Sequence, residues 1–132
     1  MKYAAITAAV GALLLAGCQT EPMRAMQADF RSLIGSSKGE PALAAGLRQY
    51  EEGNYAEASK QLQAAIDQGL GRSDRVKAHK HLAFMHCVSG RTSACREEFR
   101  KALTMEPDLD LSPAEAGHPT WGPVFRSVKA GR

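Results

Sequence analysis

The segments GLRQYEEGNYAEASKQLQAAI (residues 46–66) and AFMHCVSGRTSACREEFRKAL (residues 83–103) repeat one pattern of small and large residues, and they superpose when Gly53 is placed on Gly90. Small residues recur where two short antiparallel helices would approach closely, and larger ones would fill the space around them. The expected facing pairs are Gly46 with Ala58 and Ala83 with Cys95. The two aligned glycines come where each first helix would end and the chain would reverse. The sequence therefore predicts an all-α fold built on two helical hairpins.

This pattern resembles the tetratricopeptide repeat, and the resemblance covers residues 41–107. The offset between the two units is slightly longer than the usual repeat of about 34 residues, and the surplus falls in residues 68–72. The first unit is a good match. The second unit carries His86, Cys87 and Thr92 where tyrosines are usual, so it departs from the ordinary ligand-facing chemistry of the family.

The resemblance also implies a partner-binding surface, because in this family the inner face of each first helix holds the partner. The implied contact residues are Leu43, Leu47, Tyr50 and Glu51 in the first unit and Lys77, Lys80, Phe84 and Val88 in the second. This surface is mixed in character, and an extended peptide or a partner helix with some acidic character would suit it. The alternative is that its charged residues form only a solvated helix face.

The end of the chain, residues 108–132, is predicted to form a cap. About three stacked repeats are normally needed to bury a continuous core, so two repeats require something to close the open end. Ser112-Pro113-Ala114-Glu115 has the signature of a helix start, with proline at the first position and glutamate completing a capping box. Apolar residues then recur at helical spacing, namely Trp121, Val124, Phe125 and Val128. We interpret them as core packing rather than as a cofactor-stacking surface.

The beginning of the chain, residues 1–17, has the features of a lipoprotein signal peptide. Lys2 gives a positive start, and the apolar run at 4–15 is too short to span a bilayer. Leu15-Ala16-Gly17-Cys18 resembles the bacterial lipobox, which implies that Cys18 becomes the lipid-carrying N-terminus. Gln19 after it favours the outer membrane, facing the periplasm. An ordinary signal peptide with an incidental cysteine, or a buried apolar helix, is the alternative.

Residues 18–40 are interpreted as a lipidated tether. Apolar residues at helical spacing predict a helix near 23–34, and a glycine- and serine-rich run at 35–39 predicts a break after it. The whole chain has a formal charge of +3 with both signs mixed along it, and this pattern does not indicate a nucleic-acid-binding surface. Low aromatic content, 6%, together with plentiful alanine and leucine, favours helices over a sheet.

The two cysteines that remain after lipidation, Cys87 and Cys95, are most simply a disulfide in an oxidising compartment. The alternative is a reactive cysteine that uses the neighbouring His86. Adjacent helical residues diverge by about 100°, however, so that imidazole would not naturally meet the Cys87 thiol.

The four histidines do not predict a metal site, because no two of them have the i, i+4 spacing that places two ligands on one helix face. His79 and His81 are expected on the wet sides of their helix. The sequence has no glycine-rich phosphate loop, paired catalytic carboxylates or lipase-type serine elbow. We therefore expect a chain that is not an enzyme and that needs no cofactor or metal.

A second resemblance is carried by four runs of the sequence, at residues 79–84, 87–90, 95–102 and 116–125. Together they are similar to the TssQ family, lipoproteins associated with type VI secretion clusters. The resemblance implies an accessory role at the cell envelope beside a contractile secretion machine. The function expected is therefore a lipid-anchored scaffold or adaptor that binds protein partners through its repeat surface. The alternatives are a structural tether that self-associates through its repeat faces, or a metal-binding protein.

Overall fold

The computed structural model describes residues 37–131, and these form an all-helical structure without strands. The predicted all-α class is confirmed. The predicted signal peptide, the lipid acceptor Cys18 and the predicted helix at 23–34 lie outside the described residues, so they stay predictions.

Six helices follow one another along the described chain. Their bounds are Glu40–Glu51 (α1), Tyr55–Gln68 (α2), Arg72–Val88 (α3), Thr92–Met105 (α4), Pro113–Ala116 (α5) and Trp121–Ala130 (α6). Helix α1 packs on α2, and α3 packs on α4. The connections inside both pairs are short, whereas the connection between α4 and α6 is long and contains α5.

The reversals inside the two helix pairs depend on glycine. Gly53 has φ +80° and Gly90 has φ +73°, a left-handed conformation that costs other residues energy because of their Cβ atom. Both stand where the sequence pattern predicted the chain to reverse. At Gly46, within α1, an added Cβ would lie 2.8 Å from the Leu62 side chain. The close approach of α1 to α2 is therefore made at Leu62, one turn beyond the Ala58 expected from the pattern.

Side chains between the helices form two core clusters. The first joins α1, α2 and α3 and consists of Leu43, Ala58, Leu62, Ala65, Leu70, Ala78, Leu82 and Met85. The second joins α3, α4 and α6 and consists of Ala83, Phe84, Cys87, Cys95, Phe99, Leu103, Leu111, Trp121, Phe125 and Val128. Because α3 contributes to both clusters, it connects the two helix pairs into one packed unit.

Helix α6 repeats the packing of α3. Toward the helices that precede its own pair, α3 packs more on α2 than on α1, and α6 likewise packs more on α4 than on α3. The apolar residues Trp121, Phe125 and Val128 of α6 are buried, as their helical spacing predicted. The predicted capping box is also present, since the Ser112 hydroxyl accepts from the Glu115 backbone N–H and the Glu115 carboxylate accepts from that of Ser112.

Cys87 and Cys95 lie at disulfide distance, with sulfurs 2.03 Å and Cα atoms 5.1 Å apart. They join the last turn of α3 to the first turn of α4 and are both buried in the second core cluster. The predicted pair is confirmed at the level of geometry. The link staples the second helix pair close to its turn.

Candidate functional site

The eight predicted partner-binding residues do not form one surface. Leu43 is only 5% exposed and belongs to the first core cluster, and Phe84 is 1% exposed and belongs to the second. The Phe84 ring stacks on Trp121 at 4.4 Å between ring centroids and meets Phe99 edge-on at 5.9 Å. The prediction of a partner contact is wrong for both residues, because their side chains are enclosed by the protein itself.

A partly exposed group of aromatic side chains lies beside Phe84. Tyr55 is 40% exposed, while Tyr50 and His81 are half-buried. The Tyr50 ring lies 5.5 Å from the Tyr55 ring and 5.0 Å from the His81 ring, which it meets edge-on. We call Tyr50, Tyr55 and His81 the aromatic patch. Its members come from α1, α2 and α3, so the packing of three helices fixes its shape.

His81 has a fixed orientation in the aromatic patch. Its Nδ1 lies 2.8 Å from the Lys77 carbonyl oxygen, which can only accept a hydrogen bond, so Nδ1 carries the hydrogen. Burial lowers the His81 pKa and outweighs this hydrogen bond, which acts in the opposite direction. The ring is therefore neutral at pH 7 and its Nε2 is a hydrogen-bond acceptor. His81 is only partly on the wet side of α3 as expected, since its side chain is half-buried in the aromatic patch. Its position three residues before Phe84, on the same helix face, was the available signal.

Tyr50 is also held neutral. Burial is the main cause that raises its pKa above the ordinary value, with smaller contributions from Tyr55 and Glu115. A neutral phenol and a neutral imidazole therefore stand side by side on the aromatic patch. Such a surface combines a large apolar contact area with polar atoms that can form hydrogen bonds.

The other predicted contact residues divide by exposure. Leu47 is half-buried against the first core cluster, while Glu51 and Val88 are exposed, Val88 at 39%. Lys77 is exposed and pairs with Asp74 at 3.5 Å. These residues flank the aromatic patch along α1 and α3. They stay predicted contacts.

Lys80 is held by the protein itself. Its Nζ lies 2.8 Å from Glu115 Oε1, and both side chains are mostly buried. Burial would raise the Glu115 pKa, but the hydrogen bonds from Lys80 and Ser112 outweigh it and lower that pKa. Lys80 is therefore neutralised by a carboxylate of the connection between α4 and α6. It is not a free cation for an acidic partner.

Trp121, the first residue of α6, covers Phe84. Trp121 Nε1 donates to the Glu115 carbonyl oxygen at 2.8 Å, and the His118 ring stacks on the indole at 3.3 Å. His118, Trp121 and Phe84 thus form a stacked column. The Phe84 part of the predicted surface is therefore closed by the chain's own residues.

A second structured group lies outside the predicted surface. His79 and Glu98 are each 8% exposed, with His79 Nδ1 2.5 Å from Glu98 Oε2, and Lys101 Nζ lies 2.8 Å from Glu98 Oε1. Burial would raise the Glu98 pKa, but these two hydrogen bonds outweigh it and lower that pKa. The expectation that His79 faces water is wrong, because α4 packs over this face of α3. Its pairing with Glu98 was not visible in the sequence.

The part of the chain that the structure describes offers no cluster of three or more His, Cys, Asp or Glu residues able to hold a metal ion. Within residues 37–131, no helix combines the length and apolar character needed to cross a membrane. Comparisons of the chain with protein-family models, curated proteins and solved structures found no match.

Proposed function

We propose that the chain is a lipid-anchored envelope adaptor that binds a protein partner through the exposed surface shared by α1, α2 and α3. The observation that carries this proposal is the aromatic patch. Two tyrosines and a neutral histidine stand together, partly open to solvent, on a packed helical framework.

The chemistry of the aromatic patch suits a protein interface. Aromatic residues are enriched at the centres of such interfaces, because they bury a large area and lose little conformational freedom. The rings of the patch are already held against one another, so ordering them on binding costs little. Val88 extends this surface along α3, since it stands seven residues, or about two turns, beyond His81 on the same face.

The stacking of the helices supports a tetratricopeptide-like arrangement. Helix α6 packs against α4 and α3 much as α3 packs against α2 and α1, as we would expect of successive repeats. We infer that α6 takes the place of the first helix of a third repeat and closes the stack. The aromatic patch then lies on the inner face, where the resemblance implies that the partner binds.

The partner surface that we propose is smaller than the one implied by the sequence. It contains the aromatic patch with Leu47, Glu51, Lys77 and Val88, and it excludes the core residues Leu43 and Phe84. Lys80 contributes only to its edge, since Glu115 already neutralises its charge. A partner segment with apolar or aromatic anchors and a donor for His81 Nε2 fits this surface better than a strongly acidic one.

The cellular setting of the proposal rests on the sequence. The lipobox-like run ending at Cys18 supports a lipid anchor, and Gln19 favours the outer membrane. The cysteine pair at disulfide distance supports export, because structural disulfides persist in oxidising compartments. The resemblance to the TssQ family suggests that the partner belongs to a type VI secretion apparatus.

Site-specific photocrosslinking in intact envelopes tests the proposed surface. A photoreactive amino acid is placed at Tyr55 or Val88 in the full chain, and at Lys60 as the control. Lys60 has a side chain 76% exposed and stands about 140° around α2 from Tyr55. We expect one discrete adduct from Tyr55 and from Val88 and none from Lys60. Equal adducts from all three positions, or none from Tyr55 and Val88, would contradict the proposal.

The identity of the adduct separates the alternatives. A type VI secretion component in the adduct supports the accessory role. An adduct of twice the chain's own mass would instead support the self-associating tether. Replacing Cys18 with serine should remove fatty-acid labelling without removing the helical fold, and unchanged labelling would contradict the anchor.

A further inference from the structure

A shallow pocket of about 340 Å³ lies on the other side of α3, between its first half and the second half of α4. His79, which lines it, stands two residues before His81 and therefore about 200° around the helix from the aromatic patch. The lining residues are Arg75, His79, Glu97, Arg100, Lys101, Thr104 and Met105. This pocket is separate from the proposed partner surface.

His79 presents one fixed nitrogen to this pocket. An ionised carboxylate only accepts hydrogen bonds, so Nδ1, next to Glu98, carries the hydrogen and Nε2 is the atom left for a ligand. Nε2 has no hydrogen-bond partner within residues 37–131. A buried imidazole oriented from behind by a carboxylate is a preorganised binding group.

The charge on the pocket walls is positive. The lining carries three cations, Arg75, Arg100 and Lys101, and one carboxylate, Glu97. The positive charge still exceeds the negative charge when the neighbouring Glu98 is counted as well. The Arg100 guanidinium donates one hydrogen bond to the Glu97 carboxylate. The Arg75 guanidinium donates one to the Leu70 carbonyl oxygen at 3.2 Å. A guanidinium has five N–H donors, so donors remain on both arginines after these contacts.

We propose that this pocket binds a phosphate monoester group. A phosphate offers three terminal oxygens to the two guanidinium groups, a match that arginine forks make well. The lone pair of His79 Nε2 can accept a hydrogen bond from a protonated oxygen of the phosphate. The volume suits a small ligand.

Calorimetric titration of the full chain carrying Cys18→Ser, with inorganic phosphate as the probe, tests the site. Arg100→Gln should weaken binding about tenfold, because it removes charge-assisted hydrogen bonds. Glu97→Gln should strengthen binding by about threefold or more, because it removes the opposing carboxylate and frees Arg100. Arg48→Gln is the matched control, since it removes the same charge from an exposed position on α1 and should change affinity by less than about twofold.

The source of the phosphate is distinguished with vesicles. Binding to phosphatidylcholine vesicles only when they contain phosphatidic acid, without saturable binding of free phosphate, assigns the pocket to a lipid headgroup. Binding of free phosphate alone assigns it to a soluble monoester. Absence of binding to both probes overturns the proposal. A lower phosphate affinity of Glu97→Gln also overturns it, because that would indicate a cation site. An Arg48→Gln variant that binds phosphate as weakly as Arg100→Gln overturns it too, because that would indicate general charge attraction.

Discussion

Replacing Phe125 with alanine should remove much of the stability of the described fold. Phe125 is 2% exposed in the second core cluster, where its ring meets Phe99 edge-on at 5.1 Å, and α6 can close that cluster only through such side chains. Truncating a buried phenylalanine leaves a cavity and costs about 3–5 kcal/mol. At about 4–8 °C per kcal/mol for a domain of 60–100 residues, the melting temperature should fall by at least about 12 °C.

Thermal unfolding followed by far-ultraviolet circular dichroism checks this prediction. Tyr55→Ala is the matched control, because it truncates an aromatic side chain that is 40% exposed and should cost less than about 1 kcal/mol. Phe125→Leu should fall between the two, since leucine refills most of the cavity. A Phe125→Ala melting temperature within about 4 °C of the unmodified chain would mean that α6 does not close the core.

Three further predictions concern pairs of polar or sulfur groups. The fold holds the Glu98 pKa below its ordinary 4.5, so the Glu98 contribution is present above that value and is lost as pH falls through the lowered pKa. Urea unfolding should therefore show stability falling more steeply below pH 4.5 in the unmodified chain than in Glu98→Gln, and parallel curves would refute this. Lys80→Glu should destabilise the fold by about 1–2 kcal/mol by opposing Glu115, and Glu115→Lys added to it should restore part of the loss if the pair is real. Thiol titration of the unfolded, non-reduced chain should find Cys87 and Cys95 unreactive, and two free thiols would exclude the disulfide.

Local features of the fold could be predicted because their physical causes are contained in a few neighbouring residues. Gly53 and Gly90 mark the reversals, since their conformations are strained for other residues. The capping box at Ser112 and the apolar spacing of α6 follow in the same way from short-range rules.

The surface of α3 could not be predicted, because it depends on the path of residues 106–120. This connection sends Glu115 to Lys80 and leads into Trp121, which stacks on Phe84, and none of these contacts follows from helix periodicity. The burial of His79 likewise depends on how α4 is rotated about its axis, which decides whether Glu98 meets it. A helix pattern fixes which residues share a face but leaves open what covers that face.

The central claim, that the aromatic patch binds a protein partner, is tested most directly by partner recovery from crosslinked envelopes with Tyr55→Ala. Tyr55 is exposed enough that the melting temperature should stay nearly unchanged, while removal of an interface anchor of at least about 2 kcal/mol should weaken affinity by about thirtyfold or more and lower recovery with it. Lys60→Ala, on another side of α2, should recover as much partner as the unmodified chain. Full recovery with Tyr55→Ala, or an equal loss with Lys60→Ala, would contradict the claim.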